Sequence, residues 1–298
     1  MVKKRTAILS LAALLTGSAT MIIFLAHTAQ RLSANYAADL KRISYCFVVQ
    51  NTSNQLVNQA ELRLYAPVAE TPTQRVITVF SSHPYSVERD EHGNRIFHYT
   101  FDNLPPYASR VVSITAELLM RERPLPSTTT GNAVYLLEEP LIEVDDPRIR
   151  HLAQSLKADS SRATAEKIFR WMSANIRYAG YVKNNRGARQ ALQTQQGDCT
   201  EMMALFVALC RAAGVPARGI AGYHCPNSTV LDPAQYHNWA EFYAEGRWRL
   251  CDPQRRVFMQ QAADYIALRV IHRSPAGQAF DFDRFKVVGE GVTARMHS

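Results

Sequence analysis

The chain has 298 residues, room for two domains or for one large domain with an anchor. An apolar share of 47% with evenly scattered aromatics belongs to an ordinary globular protein and excludes low-complexity or disordered character. Lys and Arg outnumber Asp and Glu by 34 to 26, but the resulting charge of +8 is spread out and accompanied by no nucleic-acid motif, so no nucleic-acid partner is expected. The excess reads as solubility with some attraction to anionic envelope surfaces.

The first element is a membrane anchor or signal segment over residues 1–30. Lys3, Lys4 and Arg5 precede an apolar run from Thr6 to Ala26, which at ~1.5 Å per residue matches a bilayer core of roughly 30 Å. The basic start favours the cytoplasmic side. The expectation is an inner-membrane anchor with the bulk of the chain periplasmic or otherwise extracytoplasmic. A cleaved signal peptide is the rival, with Gly17 and Ala19 as a tolerable cleavage site. Met21 to Leu25 carry the apolar run beyond it.

Residues 40–120 alternate with period two. Ile43, Tyr45, Phe47 and Val49 set the pattern, followed by Leu62 and Leu64, Val76 to Phe80, Ile96 to Phe101 and Val111 to Ala116. Turn residues punctuate these runs at Asn51–Asn54, Ala66-Pro67, His83-Pro84, Glu91–Asn94 and Leu104–Pro106. This spacing predicts an all-β sandwich domain used for packing or recognition. A linker follows over 121–134, where two prolines, a Thr run and Gly131 break the pattern.

From 135 to 298 the period changes and an α+β domain is expected. Thr164 to Ile176 reads as a helix with Ser160 or Ser161 as its cap, and Cys199 to Ala213 as a second, stopped by Gly214. Ala217 to Tyr223, Asn238 to Tyr243 and Arg247 to Cys251 read as strands. Gln260 to Ile271 looks helical and Phe285 to Val288 looks like a strand.

Five cysteines, an odd number, imply at least one free thiol in an oxidising compartment. Their spacing gives no zinc pattern, no calcium loop of the D-x-D-x-D-G kind appears, and neither metal nor cofactor is expected. Cys225 and Cys251 form a disulfide only if their strands are neighbours.

The chemistry concentrates at Gly197-Asp198-Cys199. Asp198 is a good N-cap, Gly197 allows a sharp entry, and Cys199 falls in the first helical turn. There the unpaired N–H groups and the helix field favour a thiolate and offer donors to an oxyanion. Met203, Phe206 and Cys210 continue the same face, which marks Cys210 as a core residue. His237 opens one strand and Asp252 closes the next, and Ala244-Glu-Gly246 has the composition of a hairpin loop. Pairing Tyr243 with Arg247 sets His237 opposite residue 253, close to Asp252. A carboxylate beside an imidazole fixes its tautomer, and an imidazolium beside a thiol stabilises the thiolate. Trp239 shares the His237 face and reads equally as a shield for the His–Asp pair or as core packing. Tyr178 and Tyr181 are candidates to lend a hydroxyl to an oxyanion.

Gly197-Asp-Cys-Thr-Glu201, Leu209 to Arg218, His237-Asn-Trp-Ala-Glu241 and Trp248 to Pro253 together resemble the bacterial transglutaminase-like superfamily. The order Cys, His, Asp fits, and the resemblance runs from about Arg148 to Pro253, including Ile176-Arg-Tyr178. It implies a papain-like, transglutaminase-like α+β core and acyl transfer from a protein or peptide amide through a Cys199 thioester. In that scheme His237 shuttles the proton and Asp252 orients it. Met202 and Met203 stand where many relatives carry an aromatic or alanine. Peptidase- or amidase-type hydrolysis of an envelope substrate is the expected reaction. A cross-linking transglutaminase is the first alternative, and a non-catalytic peptide-binding envelope scaffold the second.

Overall fold

Alternating apolar residues in the first third of the chain produce six strands with one wet and one dry side. In the computed structural model, which describes residues 38–90, 92–127, 133–181, 185–272 and 282–297, these are β1 (Ala38–Asn51), β2 (Val57–Ala66), β3 (Gln74–Ser81), β4 (Ser86–Arg89), β5 (Arg95–Leu104) and β6 (Ser109–Arg121). The expected anchor over 1–30 and the middle of the expected linker lie outside the described residues. Among those residues no helix is long and apolar enough to cross a membrane.

β1, β6 and β3 form one sheet, and β2, β5 and β4 form another. Phe47, Leu62, Leu64, Phe97, Tyr99, Ile114 and Leu118 fill a single cluster drawn from both sheets. Each such burial contributes about 1.5–3 kcal/mol. Asn51 closes one end: its buried amide donates to the carbonyls of Gln55, Leu104 and Pro105 at 2.7, 3.1 and 3.0 Å.

Helices α1 (Pro147–Leu156) and α2 (Ser161–Asn175) follow, started by the side chains of Asp146 and Ser160. Short parallel strands β7 (Arg177–Tyr178) and β8 (Gln196–Gly197) flank α3 (Gly187–Thr194). Then come α4 (Cys199–Ala212), β9 (Ala217–His224), β10 (Thr229–Val230), β11 (Tyr236–Ala244), β12 (Arg247–Asp252), β13 (Val257–Phe258) and β14 (Tyr265–Ile271). The chain ends with β15 (Phe285–Val288) and β16 (Val292–His297). The last two strands return to the beginning: β15 pairs with β2 and β16 with β1, while β10 also lies against β1.

The third sheet has the order β13-β12-β11-β9-β14. Ala240, Phe242, Ala244 and Cys251 turn one face toward the helices in a common cluster with α4. Ile220, Trp239, Leu250, Tyr265 and Val270 cluster separately. Gly219 permits the helix to approach, because a Cβ there would sit 2.6 Å from the Met203 sulfur.

Two sequence expectations change. Residues 260–271 are not a helix: a single 3₁₀ turn at Ala262–Asp264 leads into β14, which pairs antiparallel with β9. Ala262, Ala263, Ile266 and Ala267 carry a helical spacing, but the open edge of β9 supplies backbone partners, and tertiary pairing overrides local propensity. The β11–β12 register also shifts by one. Tyr243 faces Trp248 and Ala244 faces Arg247, leaving a two-residue loop, Glu245 and Gly246, with φ of 54° and 72°. That is the positive-φ pair of a type I′ turn.

Candidate active site

α4 is buried nearly all round, from Glu201 to Arg211, as expected of a helix central to its domain. Its start is a complete capping box. Asp198 accepts the N–H of Thr200 at 2.7 Å and of Glu201 at 3.4 Å, while the Glu201 carboxylate takes the Asp198 N–H at 3.0 Å. The other Glu201 oxygen accepts the Arg186 N–H at 3.0 Å, which ties the loop before α3 to the same point. Burial raises the Glu201 pKa against these backbone donors. Gly197 is required here, since a Cβ would lie 2.6 Å from that of Glu201. The helix ends at Gly214, in left-handed conformation with φ 86°, and Val215 N–H closes back on the Cys210 carbonyl at 2.8 Å.

The cap occupies the N–H groups of Thr200 and Glu201, so the first turn offers less to an oxyanion than its position suggests. Cys199 itself, half-buried, opens the helix with a free thiol.

His237 and Asp252 come together as one buried pair. The imidazole Nε2 donates to Asp252 Oδ2 at 2.6 Å. The observed register explains the contact. Continuing the pairing of Ala240 with Cys251 sets Asp252 opposite Trp239, on the His237 face. With Tyr243 paired to Arg247, as the sequence suggested, Asp252 would have faced Asn238 and pointed to the other side of the sheet, because a one-residue slip inverts a strand. Asp252 is fully buried and accepts two further bonds, from Arg255 N–H to Oδ1 at 3.0 Å and from the Tyr265 hydroxyl to Oδ2 at 2.9 Å. Burial opposes the charged imidazole, yet the hydrogen bonds to Asp252 and Cys199 prevail and lift His237 to about 9. With Nε2 committed to Asp252, Nδ1 is the nitrogen left for the thiol.

The next residue links helix and sheet: the Asn238 amide donates to Thr200 Oγ1 at 2.9 Å. Trp239 is 1% exposed, stacks against His237 at 6.3 Å and meets Tyr265 edge-on at 5.1 Å. It packs in the core beside the His–Asp pair. Tyr178 stands near the thiol, where partial burial and then the Cys199 and Asp198 side chains raise its hydroxyl pKa. Tyr181 is 82% exposed, and no contact places it at the thiol.

The other thiols are set apart. Cys225 and Cys251 are both free, and burial pushes each up, Cys225 to about 11. Among the described residues no group of three or more His, Cys, Asp or Glu side chains is arranged to hold a metal ion. A cleft of about 610 Å³ lies at the Trp248 and Arg218 end of the sheet, bordered by Val68 and Pro126; none of the residues just described lines it.

Sequence reasoning missed Tyr265 and Glu201. Glu201 was detectable, because an acidic residue three positions after an N-cap is a capping-box signature. Tyr265 had no local signal.

Residues 150–253 match the family model of the Transglutaminase-like superfamily, a span that includes Cys199, His237 and Asp252. The human kyphoscoliosis peptidase is 29% identical over 116 residues, which is 36% of this chain; the chain spans only 17% of that relative's length. Among solved structures, a candidate cysteine protease from Cytophaga hutchinsonii aligns over 88% of this chain and 89% of its own, with a TM-score of 0.61 and 19% identity, which shows a shared fold. The periplasmic domain of TgpA from Pseudomonas aeruginosa aligns over 71% of this chain and 88% of its own, with a TM-score of 0.38 and 15% identity. The family match supports cysteine-based catalysis in general terms.

Proposed function

We propose, from the premise that residues 150–253 form a transglutaminase-like core, that this protein hydrolyses amide bonds of proteins or peptides through a Cys199 thioester. The observation that carries the reading is a single imidazole, His237, bonded to buried Asp252 at 2.6 Å and engaged by the thiol at the start of α4.

In this scheme the Cys199 thiolate adds to the substrate carbonyl carbon, and the oxyanion draws on the Cys199 N–H, which the Asp198 cap leaves uncommitted. The C–N bond then breaks, and the His237 imidazolium gives its proton to the leaving amine. Neutral His237 next removes a proton from water. The hydroxide adds to the thioester, the C–S bond breaks, and acid product leaves with the thiolate and imidazolium restored. Asp252 holds the ring in one tautomer throughout.

Hydrolysis is favoured over transfer to an amine because Cys199 is half-exposed, so water has access. The basic start and apolar run of residues 3–26 support an extracytoplasmic site tethered to the inner membrane, with a substrate in the cell envelope.

Competitive alkylation of the full chain with limiting iodoacetamide, followed by peptide mass mapping, tests the reading. Cys199 is expected to react at least about tenfold faster than Cys46, Cys210, Cys225 and Cys251. Equal labelling of Cys199 and Cys46 would contradict a thiolate mechanism. Incubation of dimethylcasein with a fluorescent alkylamine then separates the cross-linking alternative, which requires incorporated label.

A further inference from the structure

Asp252 receives three donors on two oxygens, and one of them comes from far across the sheet. Tyr265 lies on β14, separated from β12 by β11 and β9, and beyond the span that matches the family model. Its hydroxyl nevertheless reaches Oδ2, the oxygen that also holds His237. Both side chains are buried, Asp252 at 0% and Tyr265 at 2% exposure.

The surroundings fix this reach. Gly222, paired with His237 across β9 and β11, leaves the floor open: a Cβ there would sit 2.0 Å from the Ile266 carbonyl oxygen and 3.0 Å from the Trp239 indole. The Trp239 ring touches both His237 and Tyr265. On its outer edge β14 is held by two buried amides of the first sheets. Gln74 exchanges bonds with Ala267 at 2.8 and 3.0 Å, and Asn94 with Val270 at 2.7 and 2.9 Å. These amides act as a substitute strand and fix the position of the tyrosine. Packing alone would be served by phenylalanine, whereas a buried hydroxyl demands an acceptor.

We infer that Tyr265 is a positioning residue of the site, which locks the Asp252 carboxylate in one rotamer and shares its charge, so that Asp252 aims His237 at Cys199 without taking its proton. This rests on the cysteine-hydrolase reading above. A carboxylate bound by several donors remains ionised, and a donor removed from it leaves more of its charge to the imidazolium.

The test is Tyr265→Phe in the full chain, read in two ways: the burst of nitrophenolate from p-nitrophenyl acetate, and the titration of the His237 ring by NMR. The burst rate is expected to fall about tenfold with KM changed less than about twofold. The His237 midpoint should move up by about half a unit, and Tyr265→Phe should add nothing in an Asp252→Asn background. 3-Fluorotyrosine in place of Tyr265, a stronger donor with the same packing, should move the midpoint down and serves if the phenylalanine variant fails to fold. An unchanged midpoint with either replacement overturns the inference. A parent protein that gives no burst, with a midpoint that still responds, overturns the hydrolase reading and leaves the Tyr265–Asp252 coupling standing.

Discussion

Cys199 and Cys210 lie on the same helix, three turns apart, and the two ends of α4 place them in opposite environments. Cys210 is wholly buried among apolar side chains, and burial drives its thiol well above the ordinary range despite the neighbouring Arg211 charge. Cys199 is half-exposed in the first turn, with the cap of Asp198 behind it and the His237 ring beside it. Residue type and helix are shared, so on the proposed reading the difference lies in the helix end, in access, and in a base held by a carboxylate.

The comparison breaks most sharply on deletion of the thiols. Cys199→Ala is expected to abolish acylation by p-nitrophenyl acetate, a loss of at least about 10⁴-fold, while Cys210→Ala keeps the rate within about twofold. Stopped-flow absorbance checks both. Next in size is Asp252→Asn, which removes the charge that holds the imidazolium. Acylation should fall by roughly 10²–10⁴-fold, and the His237 midpoint should return from about 9 toward its ordinary value, as NMR would record.

Stability provides a third test. The folded-state pKa of His237 lies above its unfolded value of 6.5, so its pairing stabilises the fold fully below about pH 6.5 and is lost as pH rises through about 9. The shift corresponds to on the order of 3 kcal/mol, and urea denaturation at pH 6 and pH 10 should show a decrease of that order. Asp252→Asn should flatten this dependence. The smallest effect belongs to the buried end of the helix: Cys210→Ala is expected to cost about 1–2 kcal/mol through a small cavity, read as a lower urea midpoint with acylation intact.

The start of α4 was legible in the sequence because its determinants are local. Gly197, Asp198 and Cys199 are adjacent, the apolar stripe ends at Gly214, and the helix begins where the cap residue says it should. His237 and Asp252 were legible as neighbours, but not the reason they meet. Facing Tyr243 with Arg247 puts Asp252 on the wrong side of the sheet; the observed two-residue turn at Glu245 and Gly246 turns it to the His237 face. What stayed hidden depends on distant pairing. β14 carries an alanine-rich helical spacing that only the waiting edge of β9 overrules, and Tyr265 was hidden with it. The return of β15 and β16 to the first sheets joins strands more than two hundred residues apart, and no local pattern announces that pairing.

The most direct measurement is to map the acyl group itself. The full chain is mixed briefly with p-nitrophenyl acetate, quenched in acid and digested, and the acetylated peptides are located by mass spectrometry. A hydroxylamine-labile acetyl group on the Cys199 peptide, absent from the Cys210 peptide and lost in Cys199→Ala, is the predicted result. Acetylation spread over the exposed nucleophiles, with none enriched at Cys199, would contradict thioester chemistry at the start of α4.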